Sequence, residues 1–306
     1  MKVLVIGAGG QVGEKVGAAF GKQGHVTIGA YKSRKPSSSF VESYSLDKVD
    51  QEKVHSLISR VKPDIVVDTA ALHNVDYCET HPEEANAINH LGTANVARSS
   101  SKAGAKFVFI STDFVFDGKG APYDEESTPN PESVYAKSKL DGEKASLSLN
   151  ENCVVCRPAV IYSWVSTQDS SSSSGKPLNF GAWLVSQLQN KKEVKIVTDQ
   201  ITSPTLADDL AQAILALSQN DSARGVFHTA GATSLSRFDF SVKVAKRFGL
   251  DEKLVHPIDS SSLKQVAKRP LNSSLVSKRL SKCGYRMMEI DQALDRFYQD
   301  SKGELN

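Results

Sequence analysis

A glycine-rich turn between a strand and a helix, at the start of the chain, is the feature that most constrains the fold. Residues 1–6 are an apolar run that predicts a buried strand. The segment 7–13 then repeats glycine every third residue, and residues 14–23 have a helical pattern. Glycine lets the backbone turn sharply and approach a diphosphate closely, and a helix N-terminus attracts its charge. In this setting the motif predicts a dinucleotide site. The predicted contacts there are Gly7, Gly10, Gln11 and Val12.

The residues after the second predicted strand, 25–31, indicate which dinucleotide binds. An acidic residue near the end of this strand would bind the ribose 2′-hydroxyl of NAD, but a basic stretch from Tyr31 to Lys35 stands there instead. Its hydroxyl and cationic groups suit the 2′-phosphate of NADP, although a solvated basic loop is the alternative. The predicted cofactor is therefore NADP(H), with NAD(H) left open. The predicted contacts are Tyr31, Lys32 and Arg34, with Asp47 near the adenine.

Strand and helix patterns then alternate along the chain. Residues 49–61 and 82–103 are predicted helices, and 64–68 and 107–110 are predicted strands. Such alternation implies a doubly wound parallel sheet of the Rossmann type, in an α/β fold. Ligands of such sheets lie beyond the carboxyl ends of the strands. Ala70 and Ala71 follow one of these ends and are small enough for a cofactor to lie close.

A tyrosine and a lysine four residues apart open another predicted helix. Tyr135 and Lys139 would share one helix face, where the ammonium would lower the pKa of the phenol. Thr112, at the end of the fourth predicted strand, could complete a site that moves a proton to or from a carbonyl oxygen. The four-residue spacing alone is weak evidence for a catalytic site, and the alternative is that the two residues are an exposed pair on the helix surface. The catalytic interpretation gains weight because Gly7, Ala70 and Thr112 all follow strand ends.

Composition excludes several other classes of protein. The chain has 306 residues, 40% of them hydrophobic, and a formal net charge of +2, as in ordinary globular proteins. It has no apolar run of eighteen residues and no signal-peptide layout, so we expect a cytoplasmic protein without membrane contact. Four cysteines do not make a disulfide framework. Cys153 and Cys156 point to opposite faces of a predicted strand, which favours two buried thiols and no metal site.

The second half of the chain predicts a smaller, mixed substrate domain. We assign 1–157 to the dinucleotide-binding domain, with a return at 191–222, and 158–306 mainly to a discontinuous substrate domain. The serine-rich segment 163–175 predicts a flexible loop. Segment 264–286 has seven Lys and Arg and no acidic residue, so it could hold a substrate diphosphate. Nucleic-acid binding is the alternative, but the near-neutral net charge and the lack of interleaved aromatic residues argue against it. Strands are predicted at 153–161, 194–197 and 225–230, and helices at 179–189, 206–218, 236–248 and 291–298.

Over nearly the whole chain these motifs resemble the extended short-chain dehydrogenase/reductase family, and within it the dTDP-4-dehydrorhamnose reductases. The matching segments, in order, are 7–13, 64–71, 111–118, 135–143, 199–205 and 269–273. The resemblance implies that Thr112, Tyr135 and Lys139 form a catalytic triad. In that family the tyrosine protonates a keto oxygen as nicotinamide delivers hydride, and the lysine also holds the nicotinamide ribose. The substrate-binding residues implied by the resemblance are Val75, Asp113 and Arg269.

The implied function is NADPH-dependent reduction of a 4-keto-6-deoxy nucleotide sugar, as in dTDP-rhamnose biosynthesis. Asp113 is followed by Phe114, whereas the sister dehydratases tend to carry Asp-Glu, so the family pattern favours a reductase. Two features depart from that pattern where the sugar should lie: Val160 stands where the family tends to have tryptophan, and the serine-rich loop looks longer than usual. The second hypothesis is a non-catalytic NADP-binding partner that resembles the regulatory beta subunit of methionine adenosyltransferase. A homodimer is left open.

Overall fold

Seven parallel strands form the central sheet, in the order β11-β6-β5-β4-β1-β2-β3. The computed structural model describes residues 1–37, 39–164 and 179–303. The strands are β1 Lys2–Ile6, β2 Val26–Tyr31, β3 Glu42–Ser45, β4 Ile65–Asp68, β5 Lys106–Ile110, β6 Cys153–Arg157, β7 Ala159–Tyr162, β8 Val194–Val197, β9 Ile201–Thr202, β10 Pro204–Leu206, β11 Gly225–His228, β12 Leu235–Ser236 and β13 Val255–Ile258. The order reverses between β1 and β4, which is the switch point where doubly wound sheets bind ligands.

Helices cover both faces of this sheet. The α-helices are α1 Gln11–Lys22, α2 Gln51–Val61, α3 Val75–Thr80, α4 Pro82–Asn86, α5 Thr93–Lys102, α6 Val134–Leu149, α7 Phe180–Gln189, α8 Ala207–Gln219, α9 Arg237–Arg247, α10 Lys278–Lys282 and α11 Ile290–Gly303. Val3 and Val5 of β1 share one apolar core with α1 and α8, whereas Leu4 and Ile6 share another with α2 and α5. Both faces of the sheet are therefore buried, which explains the continuous apolar runs of its strands.

A third apolar core gathers most of the remaining elements. It packs α7, α9 and α11 around the β8–β13 pair. The Tyr162 ring lies at its centre, with centroids 5.0 Å from Phe240 and 5.3 Å from Phe297. Helix α8 packs in one of the two sheet cores, whereas β8 packs in this third core. The division of the chain into two domains stays a prediction.

Polar caps fix where several helices begin. Asp50, Ser133, Asn179 and Ser236 each accept a hydrogen bond through the side chain from an amide in the first turn of α2, α6, α7 and α9. Within the described residues, no helix is long and apolar enough to span a membrane.

The predicted secondary structure differs from the fold in several places. The short elements α3, α10, β9, β10, β12 and β13 were not predicted. Helix α1 begins at Gln11 rather than at residue 14. Edge strand β3 was not predicted. The predicted helix 82–103 contains one π-helical turn, Ala87–Gly92, between α4 and α5. The predicted strand 153–161 is two strands, because Pro158 separates β6 from β7, which pairs with β10 outside the central sheet. Most of the predicted serine-rich loop lies outside the described residues.

Candidate active site

The candidate site lies where adjacent strands of the central sheet end. Strands β1, β4 and β5 are neighbours and run parallel, so their carboxyl ends share one edge of the sheet. Gly7, Ala70 and Thr112 follow these ends. The structure therefore brings together the three segments that the sequence predicted to converge.

Close backbone packing explains the glycines of the turn after β1. Gly7 has a φ of 82°, and a Cβ there would lie 2.8 Å from the Ala70 nitrogen. A Cβ on Gly13 would lie 2.3 Å from the Gly7 carbonyl oxygen. The N-cap of α1 is Gly10, which has no side chain to cover the amides of the first turn that begins with Gln11 and Val12. A tight glycine turn that leads into a helix N-terminus fits the diphosphate of a dinucleotide.

The loop after β2 folds against the same turn. A Cβ on Gly9 would lie 2.0 Å from the Arg34 carbonyl oxygen, so only glycine fits beneath this loop. Tyr31 is the last residue of β2, and Lys32 Nζ lies 2.7 Å from Asp47 Oδ2 in an exposed ion pair. All four predicted contacts of the adenosine half therefore lie at the carboxyl edge of the sheet, beside the glycine turn.

A buried ion pair holds the backbone after β4. Lys48 Nζ donates to Asp68 Oδ2 at 2.8 Å, to the Ala70 carbonyl at 2.7 Å and to Thr93 Oγ1 at 3.0 Å. The side chains of Lys48 and Asp68 are 4% and 0% exposed. The pair fixes the position of Ala70 and hence of Ala71, where the sequence predicts the cofactor. The sequence analysis missed Lys48, since a lysine in a loop is normally solvated.

Asn89 links the loop after β4 to the tyrosine helix. Its Oδ1 accepts from the Leu72 amide at 2.8 Å, and its Nδ2 donates to the Leu72 carbonyl at 3.0 Å and to Ser138 Oγ at 3.0 Å. Asn89 lies in the π-helical turn, a distortion that is common at functional sites. The loop it holds leads to Val75, the first residue of α3 and a predicted substrate contact.

Thr112, Tyr135 and Lys139 lie around the end of β5. Tyr135 is half-buried in the first turn of α6, close enough to Thr112 for that hydroxyl to favour the phenolate and lower the pKa of the phenol. Lys139 is 1% exposed, and its Nζ donates to the Ile110 carbonyl at 2.6 Å. The same ammonium lies 4.1 Å from the centre of the Phe109 ring. Helix α6 thus directs the phenol and the ammonium towards the strand end that carries Thr112.

Burial controls the protonation of these groups. It raises the pKa of Tyr135 above its ordinary value, so the phenol keeps its proton at neutral pH. Burial, together with the Lys48 ammonium nearby, lowers the pKa of Lys139 to about 7. The sequence analysis expected Lys139 to lower the pKa of Tyr135, but burial dominates instead. A protonated phenol is the form that can act as a general acid.

Asp113 is a buried carboxyl within a cluster of hydroxyl groups. It is 2% exposed and accepts from Thr112 Oγ1 at 3.1 Å, Thr202 Oγ1 at 3.3 Å and Ser273 Oγ at 2.5 Å. Burial raises its pKa to about 6, although these hydrogen bonds oppose the rise. Asp113 therefore joins the strand end to segments that lie far away in sequence.

Glu143 and Arg157 form a second buried ion pair beneath the site. Arg157 donates from Nε to Glu143 Oε1 at 2.9 Å and from Nη2 to Oε2 at 2.6 Å. The Ser111 hydroxyl also donates to Glu143. Glu143 lies one helical turn after Lys139, so the pair fixes both α6 and the residue before Thr112. The four-residue spacing of Tyr135, Lys139 and Glu143 was the signal that could have identified it.

Only part of the predicted basic segment faces the site. Arg269 Nη2 lies 2.8 Å from Asp76 Oδ2, and its Nη1 donates to the Ala267 carbonyl at 3.0 Å. Lys268, the preceding residue, is exposed and pairs with Glu132. Arg269, the predicted substrate contact, is thus held in place by Asp76, which follows Val75 at the start of α3.

Val160 has an unusual backbone conformation. It lies in β7 with a φ of 37°, a region that β-branched residues rarely occupy. The β7–β10 register shifts at this point, since Ala159 pairs with Pro204 and Ile161 with Thr205, which leaves Val160 as the bulged residue. The residue that departs from the family pattern therefore also carries local backbone strain.

A family model described as the RmlD substrate binding domain matches residues 1–302. The chain belongs to this family. Two curated relatives match nearly as much of the chain. The spore coat polysaccharide biosynthesis protein SpsK of Bacillus subtilis (strain 168) is 30% identical over 300 residues, which cover 98% of this chain and 97% of that protein. Methionine adenosyltransferase 2 subunit beta of Mus musculus is 30% identical over 293 residues, which cover 92% and 82%.

Solved structures of dTDP-4-dehydrorhamnose reductases share the fold. The enzyme of Clostridium acetobutylicum is 29% identical with a TM-score of 0.87, and the match covers 99% of this chain and 100% of that one. The enzyme of Bacillus anthracis, solved in complex with NADP, is 27% identical with a TM-score of 0.83, and the match covers 98% and 99%. The predicted fold class and the family resemblance are confirmed, and the roles of individual residues stay predictions.

Proposed function

We propose that this chain is an NADPH-dependent reductase of a 4-keto-6-deoxy nucleotide sugar. The observation that carries this proposal is the protonated Tyr135 phenol, near Thr112 and one turn before Lys139, at the strand edge that also holds the glycine turn. A phenol placed there can protonate a carbonyl oxygen. The NADP bound to the Bacillus anthracis relative supports the choice of cofactor.

The residues of the glycine turn and the neighbouring loop would hold the cofactor. Gly7, Gly10 and the first amides of α1 would bind the diphosphate, and Lys32 and Arg34 the 2′-phosphate. Ala70 and Ala71 leave room beside the end of β4. When bound, NADPH supplies the hydride that is added to the C4 carbonyl carbon.

The protein supplies the proton that this reaction needs. Tyr135 donates it to the keto oxygen, and Thr112 orients the phenol and then stabilises the phenolate. Lys139 binds the nicotinamide ribose and, when protonated, adds a positive charge near the phenolate. Glu143 holds the helix that carries Lys139, and Lys48 holds the backbone after β4. Both act indirectly, so we regard them as positioning residues.

Val75, Asp113 and Arg269 would contact the substrate, most simply dTDP-4-dehydro-L-rhamnose, giving dTDP-L-rhamnose. Asp113 can accept hydrogen bonds from sugar hydroxyls, and Arg269 can pair with a phosphate. The two reductases with the same fold support this substrate. With this substrate the reaction belongs in dTDP-rhamnose biosynthesis, in the cytoplasm.

A regulatory partner protein is the second candidate. The likeness to methionine adenosyltransferase 2 subunit beta, at 30% identity over 92% of this chain, favours it. The presence of Thr112, Tyr135 and Lys139 together favours the enzyme, because a regulatory protein has no physical need for them.

NADPH oxidation distinguishes the two candidates. Purified protein is mixed with NADPH and dTDP-4-dehydro-L-rhamnose, and the absorbance of NADPH is followed. dTDP-glucose, which lacks the keto group, is the control. The reductase predicts oxidation with the keto sugar alone. Failure with every 4-keto nucleotide sugar, together with tight binding to a methionine adenosyltransferase, would contradict it.

A further inference from the structure

Arg237 is a cation beside the candidate site that the proposed reaction does not use. It is the first residue of α9 and is half-buried. Its guanidinium carbon lies 5.4 Å from the centre of the Phe180 ring, at the start of α7. Among residues 1–37, 39–164 and 179–303, no carboxylate forms an ion pair with this guanidinium. The ring restricts the guanidinium plane without neutralising its charge.

The backbone around Arg237 belongs to a small patch in which β9 lies between β12 and the segment 271–273. Strand β12, which ends one residue before Arg237, pairs antiparallel with β9, and the Arg237 amide donates to the Gln200 carbonyl at 3.0 Å. On the other side of β9, the Ile201 amide donates to the Leu271 carbonyl at 2.7 Å, and the Ser273 amide donates to the Ile201 carbonyl at 3.0 Å. The start of α9 and the segment 271–273 are thus fixed on opposite sides of β9.

This patch places two arginines around one carboxyl. Thr202 of β9 and Ser273 both donate to Asp113, so the patch lies directly against the candidate site. Arg269 precedes the segment 271–273, and Arg237 follows β12. Burial lowers the pKa of Arg237, and both neighbours are close enough to act on it: the Asp113 carboxylate raises this pKa and the Arg269 guanidinium lowers it.

In the part of the chain that the structure describes, neither neighbouring carboxylate forms an ion pair with Arg237. Asp113 is engaged by three hydroxyl groups, and Arg269 is paired with Asp76. The Asp113 carboxylate offsets the charge of Arg237 without forming an ion pair with it, so within the described residues the donors of this guanidinium stay available to a ligand. Guanidinium groups bind phosphate oxygens in a bidentate manner. A diphosphate offers oxygens on two phosphorus atoms and can contact both arginines.

We propose that Arg237 binds the diphosphate of the substrate together with Arg269, and thereby selects nucleotide-linked sugars over free ones. The proposal rests on the proposed reductase function, because the diphosphate belongs to its nucleotide sugar. It adds a residue that the sequence analysis did not single out.

Binding of a nucleoside diphosphate tests this role without turnover. dTDP and UDP are titrated into the NADP⁺-bound protein by calorimetry, for wild type, Arg237→Met and Arg237→Lys. Loss of a charge-assisted contact should weaken dTDP binding by about tenfold or more in Arg237→Met. Arg237→Lys should recover part of the affinity, since it restores the charge but not the bidentate geometry. With the keto sugar, Arg237→Met should raise KM more than it lowers kcat.

The matched control is Arg247→Met, near the other end of α9. Arg247 pairs with Asp295 and packs on Tyr298, so its loss should leave dTDP affinity unchanged. NADP⁺ affinity, which also reports folding, should match wild type in all variants.

Three outcomes would overturn the proposal, and they separate it from the reductase function. Unchanged dTDP affinity in Arg237→Met would refute the role of Arg237 and leave the reductase proposal intact. If Arg237→Met weakened NADP⁺ binding and left dTDP binding unchanged, Arg237 would be a cofactor-binding residue instead. Wild-type protein that binds neither dTDP nor UDP and does not oxidise NADPH would refute both proposals together.

Discussion

Replacing Tyr135 by Phe removes the proposed proton donor and little else. The edge-on contact with Phe114, with ring centroids 6.2 Å apart, is kept because phenylalanine retains the ring. The hydroxyl that is lost lies near Thr112, and a hydrogen bond between the two would contribute only about 0.5–1.5 kcal/mol of unfolding free energy. A general acid contributes about 10²–10⁴-fold to the rate, and a hundredfold loss is about 2.7 kcal/mol of activation free energy. Activity should therefore fall far more than stability.

The assay is the initial rate of NADPH oxidation from about pH 6 to 9. The raised pKa of Tyr135 keeps the phenol protonated throughout this range. NADPH affinity and urea unfolding are measured beside them. Tyr298→Phe is the matched control, since its ring also packs edge-on, with a centroid 5.1 Å from that of Phe248. Turnover of Tyr135→Phe close to that of wild type would refute the assignment. A loss of NADPH affinity as large as the loss of rate would show that Tyr135 acts in binding instead.

Three further predictions follow from neighbouring residues. Arg34→Ala should lower kcat/KM with NADPH by about tenfold or more and leave NADH unaffected, because a contact with the 2′-phosphate contributes roughly 1.5–3 kcal/mol; equal losses with both cofactors would contradict this. Glu143→Gln leaves the buried Arg157 without its carboxylate and should lower the urea unfolding free energy at pH 7 by about 3–5 kcal/mol. Exposed Glu151→Gln is its control, and a loss below about 1 kcal/mol would show that the pair matters little. Asp113 has a pKa of about 6 when folded and an ordinary value of 3.8, so its proton stabilises the fold at low pH and that stability is lost as pH rises through 6. Asp113→Asn should gain up to about 3 kcal/mol relative to wild type between about pH 4 and pH 7, and identical pH dependence of unfolding would refute the buried-carboxyl account.

The main fold and the place of the site could be predicted from sequence because both depend on local patterns. Apolar runs such as Val3 to Ile6 identify strands buried on both faces. Parallel strands end at one edge, so residues that follow them, such as Gly7 and Thr112, converge without any knowledge of packing. The spacing of Tyr135 and Lys139 needs only helical geometry.

Other features depend on contacts between distant segments and have no local signal. Strand β3, with the sequence Glu-Ser-Tyr-Ser, lacks an apolar run because it is the edge strand. Lys48 has the pattern of a loop lysine and is buried only because Asp68 neutralises it. Arg237 reaches the site through the pairing of β12 with β9. A positive φ is disfavoured for a β-branched residue such as Val160, so no local rule predicts this conformation.

Transfer of an isotopic label tests the central claim most directly. The protein is incubated with dTDP-4-dehydro-L-rhamnose and NADPH that carries deuterium at both C4 positions of the nicotinamide, and the sugar product is examined by NMR. The account predicts one deuterium at C4 of a 4-hydroxy sugar, with one NADP⁺ formed for each product. Unlabelled sugar and unconsumed NADPH, in protein that still binds NADPH, would contradict it.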